Sequence, residues 1–257
     1  MSSDAELQLA YKVGNVPFNM FPFPHFYVPD VFPADYYRQI QQNLPDPQAM
    51  IPIEQARDSK NHKDRYVLGF EDGHLATLPA AKRDFWRDLH GWMVGANFLQ
   101  LVLQKFKPFI DHRFAGNPGV QFHDETLLVQ DVTNYKLGPH TDTPRKVVTM
   151  LFYLPSDLSQ VHLGTSIYLP RDPEFRCDGT APHHRHDRFR RLHTNPFAPN
   201  SLFAFFKTNN SFHGVEPVTD PGCRRWLLLY DIYVRDTAPA ETAAEPAIVT
   251  PKLKFTF

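Results

Sequence analysis

The sequence predicts a mainly β fold, a jelly roll or β-sandwich with helices packed against it. Three observations lead there: helical periodicity confined to the first half, a run of short apolar segments in the second, and a composition rich in both phenylalanine and proline. The chain carries 22 Phe and 24 Pro among 257 residues. Aromatic strands that end in rigid proline turns produce that balance. Helices first and strands afterwards mark separate layers rather than an alternating α/β sheet. No internal repeat points to a solenoid or propeller.

Phe26-Tyr-Val-Pro-Asp-Val-Phe-Pro reads as a short strand interrupted by Pro29 and Pro33. Residues 34–44 have helical character and stop at Pro45-Asp46-Pro47. Residues 54–74 are polar and mixed, including Arg57, Lys60, Lys63, Arg65, Glu71 and Asp72, and read as a surface loop near a mouth or edge. Across 80–106, Phe85, Leu89, Trp92, Met93, Ala96, Leu99, Leu103 and Phe106 recur every three or four residues. That spacing lays one helical face on a core, with a break near Gly95 and a stop at Pro108. The face is core packing and carries no site.

Strands are expected at 126–132, 147–154, 165–169, 201–206 and 226–234, each β-branched or aromatic and bounded by turn formers. Residues 171–199 form an insert dense in Arg and His. Its His183-His184-Arg185-His186 run lacks the spacing that aims two rings at one ion, so it reads as a solvated loop. Folded over a mouth, that loop would favour an anionic ligand through Arg185, Arg188 and Arg190. Residues 237–251 are linker-like, and residues 253–257 would add an edge strand.

Formal net charge is −1 with 21% charged residues, which gives no reason to expect a nucleic-acid or membrane partner. The first residues lack a basic stretch followed by an apolar run, and no segment has bilayer-spanning length. A soluble, cytoplasmic protein is expected. Oligomeric state has no signal. The two cysteines, Cys177 and Cys223, offer neither a disulfide framework nor a Cys-x-x-Cys metal site.

The chemistry-bearing pattern is Gly-Pro-His140-Thr-Asp142-Thr-Pro, answered later by Phe-His213-Gly-Val-Glu-Pro-Val. On an extended chain, His-x-Asp puts both side chains on one side, so His140 and Asp142 can grip one ion while Thr141 turns away. His213, beyond the strand at 201–206, supplies the third ligand. Two imidazoles and a carboxylate hold non-haem iron(II) on one face and leave the other open. The same donors suit zinc, so a zinc hydrolase or a metal-binding jelly-roll module without turnover stays open. Arg224 and Arg225 follow the turn at 219–222 and open the last strand. A guanidinium recessed in an apolar pocket needs a carboxylate partner. Alternation turns Arg224 inward together with Trp226, and Arg225 outward.

Residues 122–233 resemble the catalytic core of the iron(II)- and 2-oxoglutarate-dependent dioxygenases, of the prolyl-4-hydroxylase-like type. The resemblance implies a double-stranded β-helix (jelly roll) with N-terminal helices packed against it. It implies that His140, Asp142 and His213 bind iron and that Arg224 binds 2-oxoglutarate. Relatives carry the basic residue a little nearer the histidine, which leaves Arg225 as a rival, and Trp226 stands where many carry a serine. Tyr135 matches a tyrosine that often contacts the co-substrate, and Thr149 could face the same pocket.

The implied reaction consumes dioxygen and 2-oxoglutarate and hydroxylates an unactivated C–H bond, and Asp142 disfavours halogenation because halogenating relatives lack that carboxylate. A small molecule or carrier-bound metabolite, compatible with an anionic one, is the expected substrate, and a prolyl-type peptide hydroxylase is the alternative. The chain reads as one catalytic domain: 1–121 as strand and helical support, 122–235 as iron-binding core, and 236–257 as tail.

Overall fold

A computed structural model describes residues 2–56, 63–115, 119–181 and 183–235. Arg57, Lys60, the linker-like stretch 237–251 and the edge strand expected at 253–257 lie outside the described residues. In chain order the elements are α1 (Ser2–Asn15), β1 (His25–Val28), α2 (Ala34–Gln42), β2 (Ile51–Pro52), α3 (Ile53–Ala56), β3 (Arg65–Leu68) and α4 (Asp72–Leu75). There follow α5 (Ala80–Met93), α6 (Ala96–Lys105), α7 (Lys107–Arg113), β4 (Phe122–Val132), β5 (Leu137–His140) and β6 (Lys146–Tyr153). The last are β7 (Thr165–Pro170), β8 (Phe189–Thr194), β9 (Ser201–Phe206), β10 (His213–Val215) and β11 (Arg224–Val234).

Two open antiparallel sheets result. The larger runs β1-β9-β6-β11-β4-β3-β2 and the smaller β5-β10-β7-β8. Strand alternation splits the larger sheet between two cores. Leu128, Val148, Met150, Phe152, Leu228 and Ile232 face the helices and meet Trp86, Leu89, Met93 and Phe98 there. Leu127, Val129, Leu151, Phe203, Leu227 and Leu229 face the smaller sheet, opposite Leu137, Ile167 and Val215. Each fully buried side chain of this size contributes roughly 1.5–3 kcal/mol. Because both faces of β11 are covered, its sequence is a continuous apolar run, like that of a buried parallel strand.

Several expectations are corrected. Pro108 does not end the helical region: it sits in the first turn of α7, where a missing N–H costs nothing. The break near Gly95 is present, with Gly95 extended ahead of α6. The supposed loop at 54–74 contains β3, whose Val67 and Leu68 are buried, along with α4. Part of the insert at 171–199 is β8, paired with β7. Helix α1 was not anticipated; it buries only Ala5, Leu9 and Val13, a stripe too narrow to stand out. Among the described residues no helix is long and apolar enough to cross a membrane.

Helix α7 also holds the chain beyond Asp142. Arg113 donates to the carbonyls of Pro144 at 2.7 Å, Lys146 at 3.0 Å and Lys207 at 3.1 Å. The helical layer is thereby tied to the loop that carries a candidate ligand.

Candidate metal centre

His140 ends β5 and His213 begins β10, and the two are direct partners across the antiparallel pair. Their rings sit 4.3 Å apart between centroids. Asp142 lies two residues past the strand, and the ligand atoms of all three lie within 4.8 Å of one another. Each imidazole points Nδ1 at a backbone carbonyl, His140 to Gly138 at 3.0 Å and His213 to Ser211 at 3.0 Å. A carbonyl only accepts, so Nδ1 carries the proton and Nε2 keeps its lone pair for an ion. Burial pushes the His213 imidazole below its ordinary value, with Asp142 acting against that shift. The ring is therefore held in its neutral, ligating form.

Asp142 is fixed from both sides. Thr149 Oγ1, from β6, donates to Oδ2 at 2.7 Å. Oδ1 is left facing His213 Nε2 at 3.8 Å and Lys146 Nζ at 3.6 Å. Burial alone would raise this carboxyl, but Lys146, His213 and His140 together with the Thr149 hydrogen bond hold it well below the carboxylate range. Lys146 is itself shared with Asp231 at 3.0 Å. Burial disfavours its charge, and the two carboxylates more than offset that, raising its pKa. The Thr141 hydroxyl donates to the Cys177 carbonyl at 3.0 Å, yet the residue still belongs to the cavity lining and does not turn fully away.

The insert closes over this group. His184 N–H donates to Pro139 O at 2.8 Å, lashing the insert to β5. Gly179 has φ +98°, and a Cβ there would fall 1.8 Å from the Asp142 carbonyl oxygen. Only glycine allows both the backbone angle and the approach. Gly179, Ala181 and His183 accordingly line a cavity of about 270 Å³ that also contains the three candidate ligands.

The arginine pair is phased the other way from the sequence reading. Arg224 is exposed, and Arg225 is fully buried and lines the metal cavity. The misjudgement came from taking Trp226 as the inward anchor. Both faces of β11 are apolar, and Trp226 belongs to the helix side. Arg225 Nη1 meets Asp131 at 2.6 Å and Nε donates to Leu163 O at 2.6 Å, while Nη2 is buried with no acceptor among the described residues.

Thr149 lines the cavity with its hydroxyl committed to Asp142. Tyr135 is fully buried in the turn after β4, off any strand, with its ring 4.4 Å from the Arg65 guanidinium carbon. Arg65 itself escaped the sequence reading. It lines the cavity and pairs with Asp131 through Nε at 2.6 Å and Nη2 at 3.0 Å. Nothing in the four residues Arg65-Tyr-Val-Leu marks that role, because their burial comes from pairing with β4.

No protein-family model matches the chain, and no curated protein matches it. Solved structures do. Prolyl 4-hydroxylase from Phytophthora capsici aligns with a TM-score of 0.51 at 12% identity, covering 95% of this chain and 71% of that one. A Pseudomonas putida prolyl-4-hydroxylase aligns at 0.48 and 16% identity, over 89% of this chain and 100% of the other. HygX from Streptomyces hygroscopicus, solved with nickel, 2-oxoglutarate and hygromycin B bound, aligns at 0.44 and 10% identity, over 81% and 82%. The fold is the double-stranded β-helix of the prolyl 4-hydroxylases.

Proposed function

We propose that the chain is an iron(II)- and 2-oxoglutarate-dependent oxygenase that hydroxylates a C–H bond of a small molecule or carrier-bound metabolite. One observation carries the reading: a His-Asp-His set, its ligand atoms within 4.8 Å of one another, shares a cavity with the buried guanidinium of Arg225. A purely structural metal site has no use for that second feature.

The residues fit the group. His140, Asp142 and His213 would hold iron(II), a neutral imidazole pair with one hard oxygen. Arg225 Nη2, a buried donor lacking an acceptor, fits a carboxylate end of 2-oxoglutarate. When bound, iron with 2-oxoglutarate and dioxygen supplies the oxidising power, and the co-substrate leaves as succinate and carbon dioxide. The protein's own part is placement. Thr149 and Lys146 fix the carboxylate of Asp142, the two backbone carbonyls fix the imidazoles, and the insert excludes water from the cavity.

The modest cavity, about 270 Å³, favours a small substrate over a folded protein chain. A cleft beside the cavity shares His183 with it and sets Lys63 and Lys136 against Asp64, a small positive excess that favours an anionic substrate.

Succinate release from 2-oxoglutarate under air tests the function, since such turnover often proceeds slowly without substrate. The wild type with iron(II) is expected to release succinate, Asp142→Ala to release none, and Arg225→Gln to need at least tenfold more 2-oxoglutarate while Arg224→Gln matches wild type. Tight iron binding with no succinate under any condition would sink the reading. Activity with zinc that iron(II) abolishes would replace it with a hydrolase.

A further inference from the structure

Arg65, Asp131 and Arg225 stand directly opposite one another on three neighbouring strands, β3, β4 and β11. All three point into the space between the sheets, with side-chain exposures of 10%, 0% and 0%. Asp131 spends both oxygens on this row. Oδ1 takes Arg65 Nε at 2.6 Å, and Oδ2 takes Arg65 Nη2 at 3.0 Å and Arg225 Nη1 at 2.6 Å. Within the row two guanidiniums share one carboxylate, and both line the metal cavity, where Asp231 also acts on Arg65.

The donors are in surplus as well. Among the described residues Arg225 Nη2 is buried without a partner, and so is the hydroxyl of Tyr135, which lies outside the cavity lining. The Arg225 guanidinium carbon also lies over the Phe197 ring, 4.6 Å from its centroid. Both arginines line the cavity, so an acceptor held there can reach this row. One arginine would suffice to neutralise Asp131 structurally. A second on the same carboxylate over-supplies both charge and hydrogen bonds.

We propose that Arg65 is a second arm of the co-substrate seat, reading the far carboxylate of 2-oxoglutarate directly beside Arg225. Asp131 cancels one of the two positive charges, so the seat accepts a single added carboxylate. This rests on the function proposed above and extends it by bringing β3, from the first third of the chain, into co-substrate selection.

The test measures calorimetric binding of 2-oxoglutarate and of 2-oxopentanoate to the iron(II)-loaded protein without oxygen. The second probe keeps the chelating end and replaces the far carboxylate with a methyl. The wild type is expected to prefer 2-oxoglutarate strongly. Arg65→Gln should lower 2-oxoglutarate affinity by about tenfold or more and leave 2-oxopentanoate within about twofold, the loss expected for a charged hydrogen bond. Arg65→Lys keeps the charge without the planar fork, and an intermediate preference is expected. It reads the same ratio should the Gln variant fail to fold.

Iron affinity equal to wild type confirms an intact core in either variant. Equal weakening of both probes would make Arg65 merely structural and overturn the proposal. So would no change in either probe while Arg225→Gln abolishes the preference; there the function itself stands. Wild type that binds no 2-oxoglutarate removes the functional reading and this proposal together.

Discussion

Asp142 has two oxygens, and the Thr149 hydroxyl decides which of them meets an ion. By donating to Oδ2 at 2.7 Å it presents Oδ1 to the histidines. Thr149→Val keeps the shape and removes the hydrogen bond. Outer-shell losses of this kind cost about 10- to 100-fold in metal affinity, so iron(II) titration should show a drop in that range with the fold unchanged. At this scale the ligands were legible because His-x-Asp and a distant His-Gly are a fixed pattern of donor types. The phase of Arg224 and Arg225 was not. It depends on which apolar face of β11 meets the smaller sheet, and Trp226 and Leu227 are equally apolar. The partner of the buried arginine was also hidden: Asp131 lies far away in sequence and meets Arg225 only through strand register.

At the scale of elements, the three-strand row of Arg65, Asp131 and Arg225 links β3, one strand in from the edge of the larger sheet, to the central β11. Asp131 is its hinge, fully buried with both oxygens occupied. Replacing it with Asn leaves two guanidiniums facing each other without a counter-charge. Breaking a buried ion pair from one side costs about 3–5 kcal/mol, and urea unfolding of Asp131→Asn should show a loss of that order. The exposed pair Lys107–Asp111 should lose almost nothing on the same treatment. Elements with strong periodicity, α5 and α6, or with dense β-branched and aromatic content, β6, β9 and β11, could be read from the chain. Strand β3 could not, because four residues within a polar segment acquire their burial only from pairing with β4. Pro108 misled for a similar reason: proline stops a helix in its interior but opens one in the first turn, and only the chain path separates the two.

For the molecule as a whole, three layers produce one site. The helices cover one face of the larger sheet, the smaller sheet covers the other, and the space between the sheets opens where β5 and β10 bring the histidines together. The ligand loop is steadied from the helical layer by Arg113 and from the insert by the close approach of Gly179. Metal end and guanidinium end thus belong to one continuous cavity. On the proposed function, one ligand would bridge an ion at the first and a guanidinium at the second. The most direct measurement is an oxygen-free titration of the iron(II)-loaded protein with 2-oxoglutarate, followed by visible charge-transfer absorption of the chelate. The account predicts a saturable band in the wild type, the same band at higher concentration in Arg225→Gln, and none in His213→Ala. A wild type that binds iron(II) yet develops no band, or binds 2-oxoglutarate equally well without metal, would contradict it.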